Sequence, residues 1–183
     1  MYAEGLENDV TTQIGLTYND MGTSLFKKQR YQESLTILNE ALNFMPSDAG
    51  IHLNRGDTYR ELKRYNLALS DYHYALDLGG DAALIKARLS LTHYALGAEQ
   101  FNKQDYEGAN IEFSRAIDFF DRNPEYYINR ARCCMQLGMT DVAYSDLKRT
   151  LELKPNHEIA SSLLQNFNTN KKLVFTGRNF IKI

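Results

Sequence analysis

Set out in rows of 34 residues, the chain repeats itself. Rows at 15–48, 49–82, 90–123 and 124–157 agree column by column. Column 8 holds Gly22, Gly56, Gly97 and Ala131, and column 20 holds Ser34, Ala68, Ala109 and Ala143. Column 24 holds Leu38, Tyr72, Phe113 and Leu147, and column 28 holds Leu42, Leu76, Ile117 and Leu151. Each row reads as two amphipathic segments joined by a short turn near column 15. Small residues at columns 8 and 20 let two antiparallel helices approach closely where they cross. Large residues at columns 24 and 28 fill the space between one pair and the next. A single pair cannot bury its own apolar face, so neighbouring pairs must stack.

This reading predicts an all-α chain. Helices are expected near 10–28 and 31–44, then 49–62 and 65–78, then 82–103 and 106–120, then 124–137 and 140–153. Asp48, Asp81 and Asn123 are expected N-caps, with Pro124 at a first helical position. Only 3 prolines are present, which leaves room for long helices. Residues 1–14 extend the first helix, and 158–167 form a capping helix over the last pair. Rows 2 and 3 are separated by 83–89 (ALIKARL), about two helical turns. The insertion reads as a tolerated lengthening of one helix, with a protruding partner-binding helix as the alternative.

Residues 168–183 change character. The segment NTNKKLVFTGRNFIKI carries Lys171, Lys172, Arg178 and Lys182 and no acid. The whole chain has net charge −2, so the body without this tail stands at −6. Apolar residues flank Thr176-Gly177, an extended or hairpin-like pattern. Leu173, Phe175, Phe180 and Ile181 are the expected tail contacts, on the chain's own repeat array or on a second copy, which would make a homo-oligomer.

The row register resembles the tetratricopeptide-repeat pattern, W-x2-L-G-x2-Y, then A-x3-F, then P. Pro46 and Pro155 stand in the terminal proline column. The Trp column is Tyr18, His52, His93 and Tyr127, and the Tyr column is degenerate. The segments LTYND (16–20), YQESLTILNEAL (31–42) and LNRGD (53–57) further resemble the C-terminal array of one member of that family. The resemblance implies a right-handed superhelix of antiparallel helix pairs, and a eukaryotic protein-interaction scaffold of a ciliary or flagellar kind. It places the binding groove on the first helix of each pair, at columns 2, 5, 9 and 12. The candidate groove residues are Asn19, Leu53, Asp57, Tyr94, Phe101, Ile128, Arg132 and Met135, an apolar lining toward the second half. The family's carboxylate clamp, by which chaperone adaptors grip acidic C-termini, is the alternative. Asn54 matches its column, whereas Leu91 and Ala95 stand where basic residues are required.

Catalytic chemistry has no motif here. His52 and His93 read as imidazoles packed between helices, not as metal ligands, and no zinc spacing such as HExxH or CxxC exists. No cofactor and no enzyme activity are expected. Scattered Asp and Glu read as solvating charge on outer faces. Arg55-Gly56-Asp57 spells an adhesion tripeptide but falls inside a helix. The adjacent cysteines Cys133 and Cys134 form no disulfide framework, which fits a reducing, cytoplasmic setting. The N-terminus lacks the apolar stretch of a signal peptide. Near-neutral charge argues against nucleic acid, and no apolar run suits a membrane span, so a protein or peptide is the expected partner.

Overall fold

The computed structural model describes the backbone of residues 2–177 and the side chains of residues 9–167. Among these residues there are nine α-helices and no strand. They are α1 (Tyr2–Lys27), α2 (Tyr31–Phe44), α3 (Ala49–Glu61), α4 (Tyr65–Asp77), α5 (Ala82–Asn102), α6 (Tyr106–Phe119), α7 (Pro124–Gln136), α8 (Thr140–Leu153) and α9 (Glu158–Gly177). The chain divides into two compact units, 1–92 and 93–183, with the boundary inside α5.

Column 15 ends the first helix of every row, and it does so by one backbone geometry. Gln29, Lys63, Gln104 and Gly138 all have positive φ, at 59°, 57°, 64° and 71°. A left-handed residue at this point turns the chain and lets the next amide reach back into the helix. The amides of Arg30, Arg64, Asp105 and Met139 accordingly bond the carbonyls of Leu25, Tyr59, Gln100 and Cys134 at 2.8–3.0 Å. Only Gly138 avoids the Cβ penalty of this conformation.

Three of the helix starts are capped as the sequence predicts. Asp48 Oδ1 accepts from the Ile51 amide at 2.9 Å, and Asp81 Oδ1 from the Ala83 and Leu84 amides at 2.9 and 3.1 Å. Asn123 Oδ1 accepts from the Glu125 amide at 3.0 Å, ahead of Pro124. Asp105 adds a fourth cap through the Gly108 amide at 2.9 Å.

The glycine column seats the column 24 side chain of the same pair. In the first unit a Cβ on Gly22 would lie 2.7 Å from Leu38 Cγ, and one on Gly56 only 2.6 Å from Tyr72 Cε1. Leu38, Ala41, Leu42 and Ile51 then form one buried cluster, which joins α2 to α3. In the second unit Gly97 faces Phe113 at 3.0 Å, and Ala109 and Phe113 pack on Cys133 of α7. A second cluster gathers Ile128, Ala131, Cys134, Ala143, Leu147 and Ala160, with Leu163, Leu164 and Phe167 of α9 packed against it. Tyr72 and Phe113 are almost wholly buried, each worth about 2–3 kcal/mol of transfer free energy.

The added turns at 83–89 pack inward on one face. Ile85 and Leu89 are fully buried, whereas Leu84, Lys86 and Ala87 are exposed. Arg88 reaches Asp57 of α3, its Nε 2.8 and 2.9 Å from the two carboxylate oxygens. At the C-terminal end the expected extended tail gives way to helix, because α9 continues through Gly177. Leu163, Leu164 and Phe167 recur at helical spacing, and the 3.6-residue period overrides the local β-like composition of Leu173 to Phe175. The side chains of Leu173 and Phe175, and all of Phe180 and Ile181, lie outside the described residues.

Candidate functional site

In the first unit the first-helix face is largely spoken for. Asn19 is half-buried, and its Oδ1 accepts from Asn54 Nδ2 at 2.8 Å. Leu53 is buried, so it gives the face no open surface. Asp57 accepts from the Tyr72 hydroxyl at 2.7 Å as well as from Arg88, with Arg60 Nη1 at 3.7 Å. Burial, followed by the Asp57 charge, holds the Tyr72 phenol well above its usual range. This carboxylate is therefore balanced within the unit. The Arg55-Gly56-Asp57 tripeptide is consumed in packing: Gly56 is buried against Tyr72, and both of its charged residues are ion-paired.

The second unit leaves more available. Tyr94 and Phe101 of α5 and Asn129 and Arg132 of α7 form one contiguous set. Asn129 Nδ2 donates to the Tyr94 hydroxyl at 3.2 Å and to the Glu125 carbonyl at 2.7 Å. The Arg132 guanidinium lies over the Phe101 ring, 4.8 Å from its centroid, and donates to Asn129 Oδ1 at 3.3 Å. The Tyr94 ring sits 5.1 Å from Tyr126, and burial pushes its phenol pKa up. Tyr94 and Phe101 are half-buried and Arg132 is exposed. Ile128 is buried in the α7–α8 cluster, and Met135 packs against it, so these two support the surface from beneath. The asparagine relationship is periodic: Asn54 reaches Asn19 and Asn129 reaches Tyr94, each across 35 residues.

The sequence reading placed the acids on outer faces, and three of them are buried instead. Asp71, Glu112 and Asp146 are 5%, 6% and 3% exposed. Each sits in column 23 of its row, facing the first helix of its pair. Arg55 grips Asp71 at two points, 2.8 and 2.7 Å, and Arg130 grips Asp146 at 2.8 Å on both oxygens. The free arm of each arginine reaches the preceding helix: Arg55 Nη1 to Asn39 Oδ1 at 2.9 Å, Arg130 Nη1 to Ser114 Oγ at 3.2 Å. These hydrogen bonds to the carboxylates hold both guanidinium pKa values above the usual range. The signal was present in the sequence as Arg at column 7 with Asp at column 23, sixteen residues on.

The two histidines are buried between helices, as expected, and they complete this arrangement. His52 Nδ1 lies 3.1 Å from Asp71 Oδ1, and its Nε2 lies 2.9 Å from the Pro46 carbonyl. His93 Nδ1 lies 2.6 Å from Glu112 Oε2, while Arg115 donates to the other oxygen at 2.7 Å. A metal needs several such groups converging. Among the described residues no cluster of three or more His, Cys, Asp or Glu is placed to hold one. Cys133 and Cys134 are both buried as free thiols. Burial pushes the Cys133 thiol up to about 12 and raises Cys134 as well, so neither is an activated nucleophile. No helix among the described residues is long and apolar enough to cross a membrane.

The chain is similar to known proteins. Residues 124–157 match the family model described as the tetratricopeptide repeat. The chain is 30% identical over 154 residues to tetratricopeptide repeat protein 16 of Mus musculus, covering 84% of this chain and 20% of that protein. It is 28% identical over 148 residues to the BBSome complex member BBS4 of Bos taurus, covering 81% of this chain and 27% of that one. The chain thus spans about a fifth to a quarter of the length of these relatives. Among solved structures it is similar to YrrB, reported as a TPR protein with an unusual peptide-binding site. The TM-score is 0.58 at 18% identity, over 94% of this chain and 84% of that one.

Proposed function

We propose that this chain, which is a tetratricopeptide-repeat protein, is a binding scaffold that takes a segment of a partner protein on the first-helix face of its second unit. The observation that carries the reading is the Tyr94, Phe101, Asn129 and Arg132 set. It presents two aromatic rings, one amide and one exposed guanidinium on adjacent helices. Such a surface matches a segment with an apolar side chain beside an acidic one, its backbone meeting the amide. Leu53, Ile128 and Met135 support the packing of their units beneath such faces, and Asn19 and Asp57 are the corresponding polar positions of the first unit.

The partner belongs to a ciliary or flagellar assembly in this reading, supported by the similarity to a BBSome member. A peptide library panned on the full chain tests the binding face. Enrichment of apolar–acidic motifs that disappears with Phe101→Ala and Arg132→Glu supports it. Enrichment that survives both changes places binding elsewhere. Tagged chain excluded from the cilium of ciliated cells would sink the assignment to that compartment while leaving the binding face intact.

A further inference from the structure

We infer that the turn edge of the first unit, where α1 meets α2 and α3 meets α4, binds an acidic segment of a partner protein. The two turns lie side by side. Ser34, in the first turn of α2, donates to the Gly22 carbonyl at 2.8 Å, and its hydroxyl lies 3.3 Å from that of Thr58, in the last turn of α3. Packed helices stand about 10 Å apart, so residues 27–30 and 62–64 form one edge. That edge carries Lys27, Lys28, Lys63 and Arg64, all exposed. None of the four has an ion-pair partner among the described residues. The acids nearest in sequence are already held, Glu33 by Arg30 and Glu61 by Arg60. Lys103, which occupies the column of Lys28 in row 3, is matched by Glu99 on its own helix. Lys63 adds a second sign. Its backbone is left-handed, with φ 57°, at the column where row 4 has Gly138 and no Cβ to strain. The turn thus keeps a strained residue whose side chain is a cation, beside three others that repel it. Stacked repeats cover helix faces and leave helix ends open, so a neighbouring repeat on either side extends this edge and does not bury it.

Charge selects the occupant. The unit is polarised, with Asp48, Asp77 and Asp81 at the opposite ends of α3 and α4. Asp48 and Asp81 are committed to capping α3 and α5, so a second copy of the chain offers no free acidic edge there. The whole chain has net charge −2, which opposes its approach to an extended polyanion such as a membrane surface or a nucleic acid. A short acidic segment responds only to charges within a Debye length, about 8 Å, and over that range the edge is cationic. An extended segment advances about 3.3 Å per residue, so carboxylates about three residues apart reach both turns. This edge shares no residue with the Tyr94 and Arg132 face of the second unit.

Fluorescence anisotropy of a labelled hexaglutamate peptide, titrated with the full chain, tests the edge. Wild type is expected to bind it, more tightly at low salt than at about 0.15 M. Lys27→Gln, Lys28→Gln, Lys63→Gln and Arg64→Gln together are expected to weaken binding about tenfold or more, with the melting temperature unchanged or raised. Lys86→Gln with Arg122→Gln, exposed cations outside the edge, is expected to leave binding within about twofold, as is Arg132→Glu, which removes the second-unit face. A wild type that ignores the peptide at low salt overturns the inference. So does an equal loss in the Lys86 and Arg122 control, which makes binding a matter of net charge, or a lowered melting temperature, which gives the four cations a structural role. Tighter capture on phosphatidylserine vesicles or a single-stranded oligonucleotide, lost with the same four changes, assigns the edge to a membrane or a nucleic acid and overturns it too.

Discussion

Arg55 and Asp71 meet at two points, Nε to Oδ2 at 2.8 Å and Nη2 to Oδ1 at 2.7 Å, and the carboxylate is buried beneath them. Removing one partner of such a pair strands the other in a poor solvent. Asp71 would keep His52 after Arg55→Ala, whereas Asp146 has Tyr127 in the histidine column and would keep no imidazole. Arg130→Ala is therefore expected to cost more than Arg55→Ala. The losses are on the order of 3 and 2 kcal/mol, discounted for the part-exposed arginines. Urea unfolding of the two variants gives the ranking, and equal midpoints would show that the histidine contributes nothing.

The left-handed turns predict gains as well as losses. Gln29, Lys63 and Gln104 each hold a positive φ without being glycine. Replacing any of them by glycine is expected to raise stability by about 0.5–1 kcal/mol, while Gly138→Ala lowers it by a similar amount. Thermal melts of the four single variants check the opposite signs.

Glycine seats differ in tightness. A Cβ on Gly56 would meet the Tyr72 ring at 2.6 Å, and one on Gly97 would meet Phe113 at 3.0 Å. Gly56→Ala is expected to cost about 2–3 kcal/mol and Gly97→Ala about 1, because the first displaces a buried ring further than the second. Gly56→Ala with Tyr72→Leu should recover part of the loss.

Alkaline pH acts through Cys133 among other buried groups, Tyr72, Tyr94 and Cys134 being raised in the same sense. The folded Cys133 thiol titrates at about 12, above the ordinary value of 9.0, so the unfolded chain releases the proton first. The folded chain binds more protons in that interval, and stability falls as pH rises from about 9 to 12. Cys133→Ala is expected to remove its share of that slope and leave the share of the tyrosines. In the native state at neutral pH, both thiols should react with a disulfide reagent far more slowly than in urea.

Gln100 occupies the column that holds Tyr59 in row 2, and its Oε1 is buried with no hydrogen-bond partner among the described residues. Gln100→Leu is expected to stabilise the chain by about 1 kcal/mol, since it removes an unpaired acceptor without opening space. An unchanged melting temperature would mean that solvent reaches this oxygen.

Helix positions were readable in the sequence because two periodicities coincide there: the 34-residue repeat and the helical spacing within it. Asp48, Asp81 and Asn123 marked helix starts for the same local reason, a short side chain bonding an amide two or three residues on. Asp71 and Asp146 were misread because an acid on a helix has no local sign of burial. The sign is a cation on another helix, sixteen residues back, and only comparison of rows 2 and 4 brings it out. The α9 extension was missed because apolar residues around Thr176-Gly177 fit a strand as well as a helix turn. Tyr94, Phe101 and Arg132 were legible as one helix face from the columns that the family resemblance singles out, but the burial of Leu53 and Ile128 was not. Spacing gives direction on a helix, and depth depends on what is packed above.

A chain of near-copies faces one folding hazard in particular, that a second helix packs on the wrong first helix. The buried acids make such exchanges expensive. The α4 helix carries Asp71 and requires a guanidinium at column 7 of its mate, which α3 supplies as Arg55, whereas α1 has Met21 there and α5 has Leu96. Paired with α1, α4 would bury an unanswered carboxylate, and paired with α5 it would keep only the imidazole of His93. In the opposite sense, α2 carries Ile37 in the acid column and would leave Arg55 without its anion. The clasps thus set rows 2 and 4 apart from rows 1 and 3, and a chain with Asp71 and Asp146 both changed to leucine would keep its core yet lose that distinction while it folds.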